Sequence, residues 1–100
     1  MKNYNEQEVI EILKIPARQH EAFREIVEAY SEPLYWQIRR MVLSHDDAND
    51  ILQNTFVKAW SNIDYFRGDA KISTWLYRIA LNECLTFMNK RSLHSHLSID

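Results

Sequence analysis

The polypeptide has 100 residues, of which 46% are hydrophobic, and this is enough for one small compact domain. Its formal net charge of −2 excludes the overall basicity that marks many nucleic-acid-binding proteins. One glycine and two prolines leave few turns, and apolar residues recur at spacings of three and four. We therefore predict an all-α fold: a compact bundle of about four helices plus a short N-terminal helix.

Charge distribution and cysteine content bear on partners and location. Residues 51–100 carry six Lys and Arg against four Asp and Glu, whereas residues 1–50 carry six against ten, so the C-terminal half is better suited to face a polyanion. The single cysteine, Cys84, is expected to be a small buried side chain in a reducing cytosol. The sequence shows no signal peptide or membrane span, which predicts a cytoplasmic protein.

The chain begins with a predicted helical arm, residues 1–15. Asn5 followed by Glu8 is an Asn version of the capping box and predicts a helix over 6–14. Pro16 ends this helix because the residue before a proline avoids helical angles. The arm either packs on the domain or covers another surface.

The main domain is predicted over residues 16–91, followed by a tail or the start of a linker over 92–100. Its first two helices are expected over 17–30 and 33–43, each with apolar residues at helical spacing. The Ser-Glu-Pro sequence between them is a helix-start signal, since proline is tolerated in a first turn.

The segment 47–61, DANDILQNTFVKAWS, has the clearest amphipathic pattern. Its apolar face comprises Ala48, Ile51, Leu52, Thr55, Phe56, Ala59 and Trp60. Its opposite face comprises Asp50, Gln53, Asn54, Val57 and Ser61. An apolar Val57 among polar neighbours suits a partner-binding surface, but a single exposed valine is also common, so the pattern alone leaves both interpretations open.

Residues 62–71, NIDYFRGDAK, form the longest irregular stretch and include the only glycine. Two interpretations fit Tyr65 and Phe66. They either belong to a loop that clasps an unstacked base, or they are core aromatics followed by a turn. Asp69 or Ser73 is predicted to cap the helix that follows.

The last helix is predicted over about 75–89 and has two distinct faces. The core face would comprise Leu76, Tyr77, Ala80, Cys84, Phe87 and Met88. The opposite face would comprise Trp75, Arg78, Asn82, Leu85, Thr86 and Asn89, joined by Lys71 if the helix begins a turn early. A cation, two amides and an indole suit a nucleic-acid strand, because they can meet phosphate, base edges and base faces. An ordinary solvated face fits the pattern equally well.

Motifs of catalysis are absent from the sequence. It contains no Gly-rich phosphate cradle, nucleophile elbow or metal-ligand cluster. His94 and His96 lack a third ligand, and Asp46 and Asp47 are better explained as helix-start residues. We therefore predict a protein that is not an enzyme and has no cofactor or metal site.

Two segments, DANDILQNTFVKAW and FRGDAKISTWLYRIALNE, resemble the paired signatures of bacterial sigma factors of the sigma-70 family. The resemblance is to region 2 of the extracytoplasmic function (ECF) group and covers residues 23–91. It implies a transcription initiation factor domain that binds the clamp helices of the β′ subunit of core RNA polymerase. It also implies that the domain recognises and melts the promoter minus-ten element.

The resemblance further implies which residues act. The polymerase-binding residues would be Asp47, Asp50, Gln53, Asn54, Val57 and Lys58. The loop 66–74 would capture a base flipped from the non-template strand, with Asn82 lining its pocket. The DNA-binding residues would be Phe66, Arg67, Gly68, Asp69, Lys71, Ser73, Thr74, Trp75, Arg78, Asn82, Lys90 and Arg91. Anti-sigma factors are a further class of partner in this family.

Three departures from the family pattern carry expectations of their own. Ile72 and Ser73 stand where the loop commonly has a larger aromatic and often a basic residue, so the preferred flipped base is expected to differ. The segment CLTFMNKR is less basic than in many relatives, which implies weak duplex binding. The chain ends at Asp100, before the family's second helical domain, which reads the minus-thirty-five element. We therefore expect a fragment that binds polymerase and single-stranded promoter DNA weakly.

Two other function classes remain as alternatives. The first is a helical protein-interaction module that does not bind DNA, with Trp75 and Arg78 as a protein-binding patch. The second is a helix-turn-helix repressor, which fits less well because the turn before the last helix is too long and that helix exposes too few base-reading side chains.

Overall fold

The structure, a computed structural model, describes the backbone of residues 3–98 and the side chains of residues 3–91. Its helices are α1 (Glu6–Leu13), α2 (Gln19–Arg39), α3 (His45–Ser61) and α4 (Ile72–Ser98), with two 3₁₀ turns at Pro16–Arg18 and Ile63–Tyr65. The described backbone contains no strand, so the predicted all-α helical fold is confirmed. No helix within this part of the chain is both long enough and apolar enough to span a bilayer.

The prediction of two helices over 17–30 and 33–43 is wrong, because α2 runs through Pro33 without interruption. A proline inside a helix costs about 3 kcal/mol or more through its missing N–H and its ring clash. Here Ile26, Leu34 and Ile38 are all fully buried and lie in phase on one side of α2. Their packing on both sides of Pro33 offsets the lost hydrogen bond, and Pro33 itself is exposed.

The N-terminal arm packs on the domain through α1. Its predicted cap is confirmed, since the Asn5 side chain accepts a hydrogen bond from the Glu8 backbone N–H at 3.0 Å. Three apolar side chains of α1 (Val9, Ile12 and Leu13) are buried against the rest of the core. Ahead of α1, the Tyr4 ring meets the Tyr30 ring of α2 edge-on at 5.6 Å. Burial of Tyr4 raises its pKa, so its hydroxyl stays neutral in this contact.

Helices α3 and α4 run antiparallel, joined by two ion pairs. Lys58 meets Glu83 at 2.9 Å, and Asp47 meets Arg91 at 3.3 Å near the other end of α3. Ser44 caps α3 by accepting from the Asp47 N–H, so the helix begins two residues before its predicted start. The predicted apolar face of α3 is confirmed, since all seven of its residues are buried or half-buried.

The ends of α4 differ from those predicted. The helix begins at Ile72, which places Ser73 inside the first turn and excludes it as the cap. It continues to Ser98, so the segment expected to be a tail from residue 92 is helical through 98. Its role as a linker remains a prediction, and the side chains of His94 and His96 lie outside those described.

The core face of α4 is centred on Ile72, Leu76, Ala80 and Cys84, which are all buried. Tyr77 was predicted to belong to this face and instead is 38% exposed. The burial of Ile72 shifts the centre of the face, and at 100° per residue Tyr77 then falls at its edge.

Candidate nucleic-acid and protein-binding surfaces

Loop 66–71 connects the 3₁₀ turn Ile63–Tyr65 to α4. At its centre Gly68 has φ +81°, in the left-handed region where a side chain would be strained. The Phe66 ring lies 5.0 Å from the Trp75 ring, centroid to centroid, with the planes inclined by 43°. Both rings also pack against the core, whereas Tyr65 is 75% exposed. Phe66 is half-buried against the core and Tyr65 is exposed, and a role of either ring in clasping a base stays a prediction.

The outer face of α4 begins where loop 66–71 ends. The Trp75 backbone N–H donates to the Lys71 carbonyl at 3.1 Å, which places these residues one helical turn apart. Arg78 and Asn82 follow on the same face, and both are exposed. Trp75 is half-buried, so its indole lies against the protein surface and does not project into solvent. Cations and an amide are thereby aligned in a way that can contact a nucleic-acid backbone and a base edge.

The other predicted DNA-binding residues do not all lie near loop 66–71. Arg67 and Asp69 are exposed in the loop, while Ser73 and Thr74 are half-buried in the first turn of α4. Lys90 lies eight residues beyond Asn82, about 12 Å farther along the helix. The predicted residues therefore form one group at the loop and the start of α4, and a second group at residues 90–91.

The predicted polymerase-binding residues lie along α3. Asp50, Gln53, Asn54 and Val57 are exposed at helical spacing i, i+3, i+4 and i+7, and Val57 is 63% exposed. We call these four residues the α3 surface. The opposite side of the same helix is buried, so the α3 surface has a rigid support. Such a surface, polar with an apolar centre, can bind a protein partner.

The two remaining predicted polymerase-binding residues are engaged in ion pairs with α4. Lys58 pairs with Glu83, whose side chain is only 11% exposed. Asp47 pairs with Arg91, which the resemblance assigns to DNA. The two predicted sets therefore meet at the Asp47–Arg91 pair.

Two residues near the loop were missed at the sequence level. Ile10 of α1 faces the loop at Gly68, and Gln19 hydrogen-bonds Asp64 just before the loop. Both pairs join segments more than 40 residues apart, and no local pattern in one sequence encodes such a proximity.

The cysteine and the acidic groups offer no metal site within the described residues, where no cluster of three or more His, Cys, Asp or Glu is suitably placed. Cys84 is buried as predicted. Burial, with a smaller contribution from the neighbouring Glu83, raises the pKa of its thiol and disfavours the reactive thiolate.

Comparison with known proteins gives consistent matches. Residues 26–93 match the family Sigma-70 region 2. The chain is 35% identical over 89 residues to the ECF RNA polymerase sigma factor SigW of Bacillus subtilis, covering 89% of this chain and 48% of that protein. It is 41% identical over 64 residues to the ECF RNA polymerase sigma factor SigG of Mycobacterium tuberculosis, covering 64% of this chain and 17% of that protein. The chain thus spans about half or less of the length of these relatives.

Among solved structures, a similar one is an engineered region 2 of sigmaE, determined by NMR in complex with GTAAAA. The TM-score is 0.78 at 30% sequence identity, over 92% of this chain and 95% of that one.

Proposed function

The chain belongs to the sigma-70 region 2 family, in its ECF group, and from this membership we propose that it binds core RNA polymerase and recognises the promoter minus-ten element. Sigma factors are transcription initiation factors and not enzymes, which agrees with the absence of catalytic motifs from the sequence. Such a factor acts on DNA in the bacterial cytoplasm, and anti-sigma factors are a further class of partner in the proposal.

The observation that carries the proposal is the similarity to the sigmaE region 2 solved in complex with GTAAAA. That similarity extends over 92% of this chain and 95% of that one. We infer that GTAAAA-like single strands are the ligand class, and that the strand lies across the loop and the outer face of α4.

In the proposed DNA complex, a base flipped out of the non-template strand enters a pocket beside loop 66–71. Extruding a base loses stacking energy, which contacts with aromatic and apolar side chains can replace. Phe66 and Trp75 offer such a wall, and the exposed amide of Asn82 can hydrogen-bond a base edge. Lys71 and Arg78, exposed on the same side, are suited to the flanking phosphates. Melting follows because the domain binds the open strand and not the paired one.

In the proposed polymerase complex, the α3 surface meets the clamp helices of the β′ subunit. Val57 would be buried at the centre of that interface, and Asp50 and Gln53 would supply polar contacts around it. The α3 surface and the outer face of α4 are carried by different helices, which would let the domain hold polymerase and DNA together.

The experiment that tests the DNA half is a low-salt titration of the chain with short single-stranded oligonucleotides, GTAAAA among them. We expect sequence-dependent binding that weakens about tenfold or more in Asn82→Ala, because unpaired polar groups at a buried contact cost about 1–3 kcal/mol. Asn49→Ala is the matched control, since Asn49 is also an exposed asparagine but lies on α3, outside the predicted DNA-binding residues.

Equal affinity for all oligonucleotide sequences, or equal losses in the two asparagine variants, would contradict minus-ten recognition by this face. Binding to core polymerase without any oligonucleotide binding would instead favour the protein-interaction module. A preference for duplex over single strands would favour a helix-turn-helix type of reader.

A further inference from the structure

We propose that the N-terminal arm positions loop 66–71 for the DNA strand, with Ile10 and Gln19 as the positioning residues. The DNA part of this inference rests on the proposed function, whereas the contact between arm and loop stands on the structure by itself. It gives α1 a role that its amphipathic pattern does not reveal.

The first contact is between α1 and the centre of the loop. A Cβ placed on Gly68 would lie 3.7 Å from Cγ2 of Ile10, an ordinary van der Waals distance, so the Ile10 methyl group faces Gly68 with room for one added carbon between them. Ile10 is half-buried and lies beside the α1 residues that enter the core. The side chain therefore joins the core to the one loop residue whose backbone has a positive φ.

The second contact is made by Gln19, the first residue of α2. Its side-chain N–H₂ donates to the Leu13 carbonyl at the end of α1, at 3.1 Å, and to the Asp64 carboxylate, at 3.2 Å. One amide thus connects the end of the arm to the 3₁₀ turn that leads into the loop. The Leu13 side chain is buried, which holds the Leu13 carbonyl in place as an acceptor for Gln19.

These contacts border a shallow groove between arm and loop, lined in part by Ile10, Gln19, Phe66 and Arg67. Phe66 is the loop residue that packs on Trp75, so the arm and α4 hold the loop from two sides. A short loop without regular hydrogen bonds would otherwise sample many conformations, and ordering it on binding would reduce affinity. Because the arm already restricts the loop in the free protein, less conformational entropy is lost when DNA binds.

The test compares Ile10→Ala with Leu52→Ala in the full chain. Both lose a half-buried aliphatic side chain, but Leu52 lies on α3 near the Asp47 end, away from the loop. Backbone order parameters from NMR relaxation should fall at residues 66–71 in Ile10→Ala and keep their wild-type values there in Leu52→Ala. Single-stranded GTAAAA should bind Ile10→Ala about five- to tenfold more weakly, because affinity falls with the fraction of molecules whose loop is in place. Ile10→Val should restore both properties.

Gln19→Glu provides the second variant, since it keeps the side-chain shape but replaces the donor with an acceptor facing Asp64. It should also lower the backbone order parameters at residues 66–71. Unchanged order parameters in both variants, or lower order parameters with unchanged affinity for GTAAAA, would overturn the positioning role. The two failures are separable: a wild-type chain that does not bind oligonucleotides refutes the proposed function and the DNA role of the arm together, and the order parameters still decide whether the arm orders the loop.

Discussion

The α3 surface and loop 66–71 are two candidate binding regions built in opposite ways. The α3 surface lies on a regular helix whose far side is buried, so helical geometry alone fixes the spacing of Asp50, Gln53 and Val57. The loop has no such repeat, and its position depends on Ile10 below it and on Trp75 beyond it. The difference teaches that the α3 surface is encoded locally, whereas the loop requires the whole domain to be folded.

The largest effect is expected from a substitution in the hydrophobic core, which supports both regions. Leu76→Ala deletes a fully buried side chain of α4 and should lower the free energy of unfolding by about 2–5 kcal/mol. That is a large part of the stability of a domain of this size, about 5–15 kcal/mol. Urea denaturation measures the loss, with Leu85→Ala as the control on the same helix, since Leu85 is 44% exposed. Similar losses in the two variants would contradict the assignment of the core face of α4.

The next effect should separate the regions. The double variant Asp50→Ala/Gln53→Ala removes two exposed polar side chains from the α3 surface and should weaken binding to core polymerase about tenfold, since each truncation leaves a polar group of the partner unpaired at a cost of about 1 kcal/mol. Binding of GTAAAA should be unchanged. Fluorescence anisotropy of the labelled chain measures both affinities, with Asn49→Ala, an exposed neighbour on α3, as the control. A parallel loss of both affinities would show that the two regions are not independent.

The same contrast explains what could be predicted from the sequence. The α3 faces were predicted correctly because seven positions at helical spacing, six of them apolar, agree with one another, and the cap at Asn5 because it is a local hydrogen bond. Pro33 was misassigned because the packing that tolerates it comes from other helices. The exposure of Tyr77 depends on where α4 begins, which the burial of Ile72 determines.

In the candidate site, too, local features could be predicted from the sequence and long-range contacts could not. The exposure of Arg78 and Asn82 followed from helical periodicity, and the roles expected for them came from the resemblance, not from spacing. The contact between Ile10 and Gly68 could not have been predicted, because residues 58 positions apart meet only through the packing of α1.

A smaller effect should fall on the loop alone. Gly68→Ala places a side chain at φ +81°, which costs about 1–2 kcal/mol, while the Ile10 contact leaves room for the new methyl group. We expect a corresponding loss of GTAAAA affinity or of stability and no change in polymerase binding. Gly68→Asn should lose less, since asparagine tolerates left-handed backbone angles. Ala70→Gly separates strain from flexibility, because it loosens the loop without straining it. Wild-type affinity and wild-type stability in Gly68→Ala would contradict the positive φ of this residue.

The smallest effect is expected where the two predicted residue sets meet, at the Asp47–Arg91 pair. Arg91 is 69% exposed and its guanidinium also lies 6.0 Å from the Phe87 ring centroid, so Arg91→Ala should change the free energy of unfolding by less than about 1 kcal/mol, and less still in high salt. The effect of Arg91→Ala on DNA binding decides which surface Arg91 belongs to. If Arg91 of the wild-type chain leaves Asp47 to contact a phosphate, the slope of log affinity for GTAAAA against log salt should be smaller in magnitude in Arg91→Ala by about 0.7, the value for one contact with a single strand. Arg40→Ala removes an equal charge at an exposed position outside the predicted DNA-binding residues and gives the reference slope. An unchanged slope in Arg91→Ala would show that Arg91 only joins α4 to α3 through its ion pair with Asp47. The physical reason would be that exchanging the Asp47 carboxylate for a phosphate gives the arginine little additional electrostatic energy.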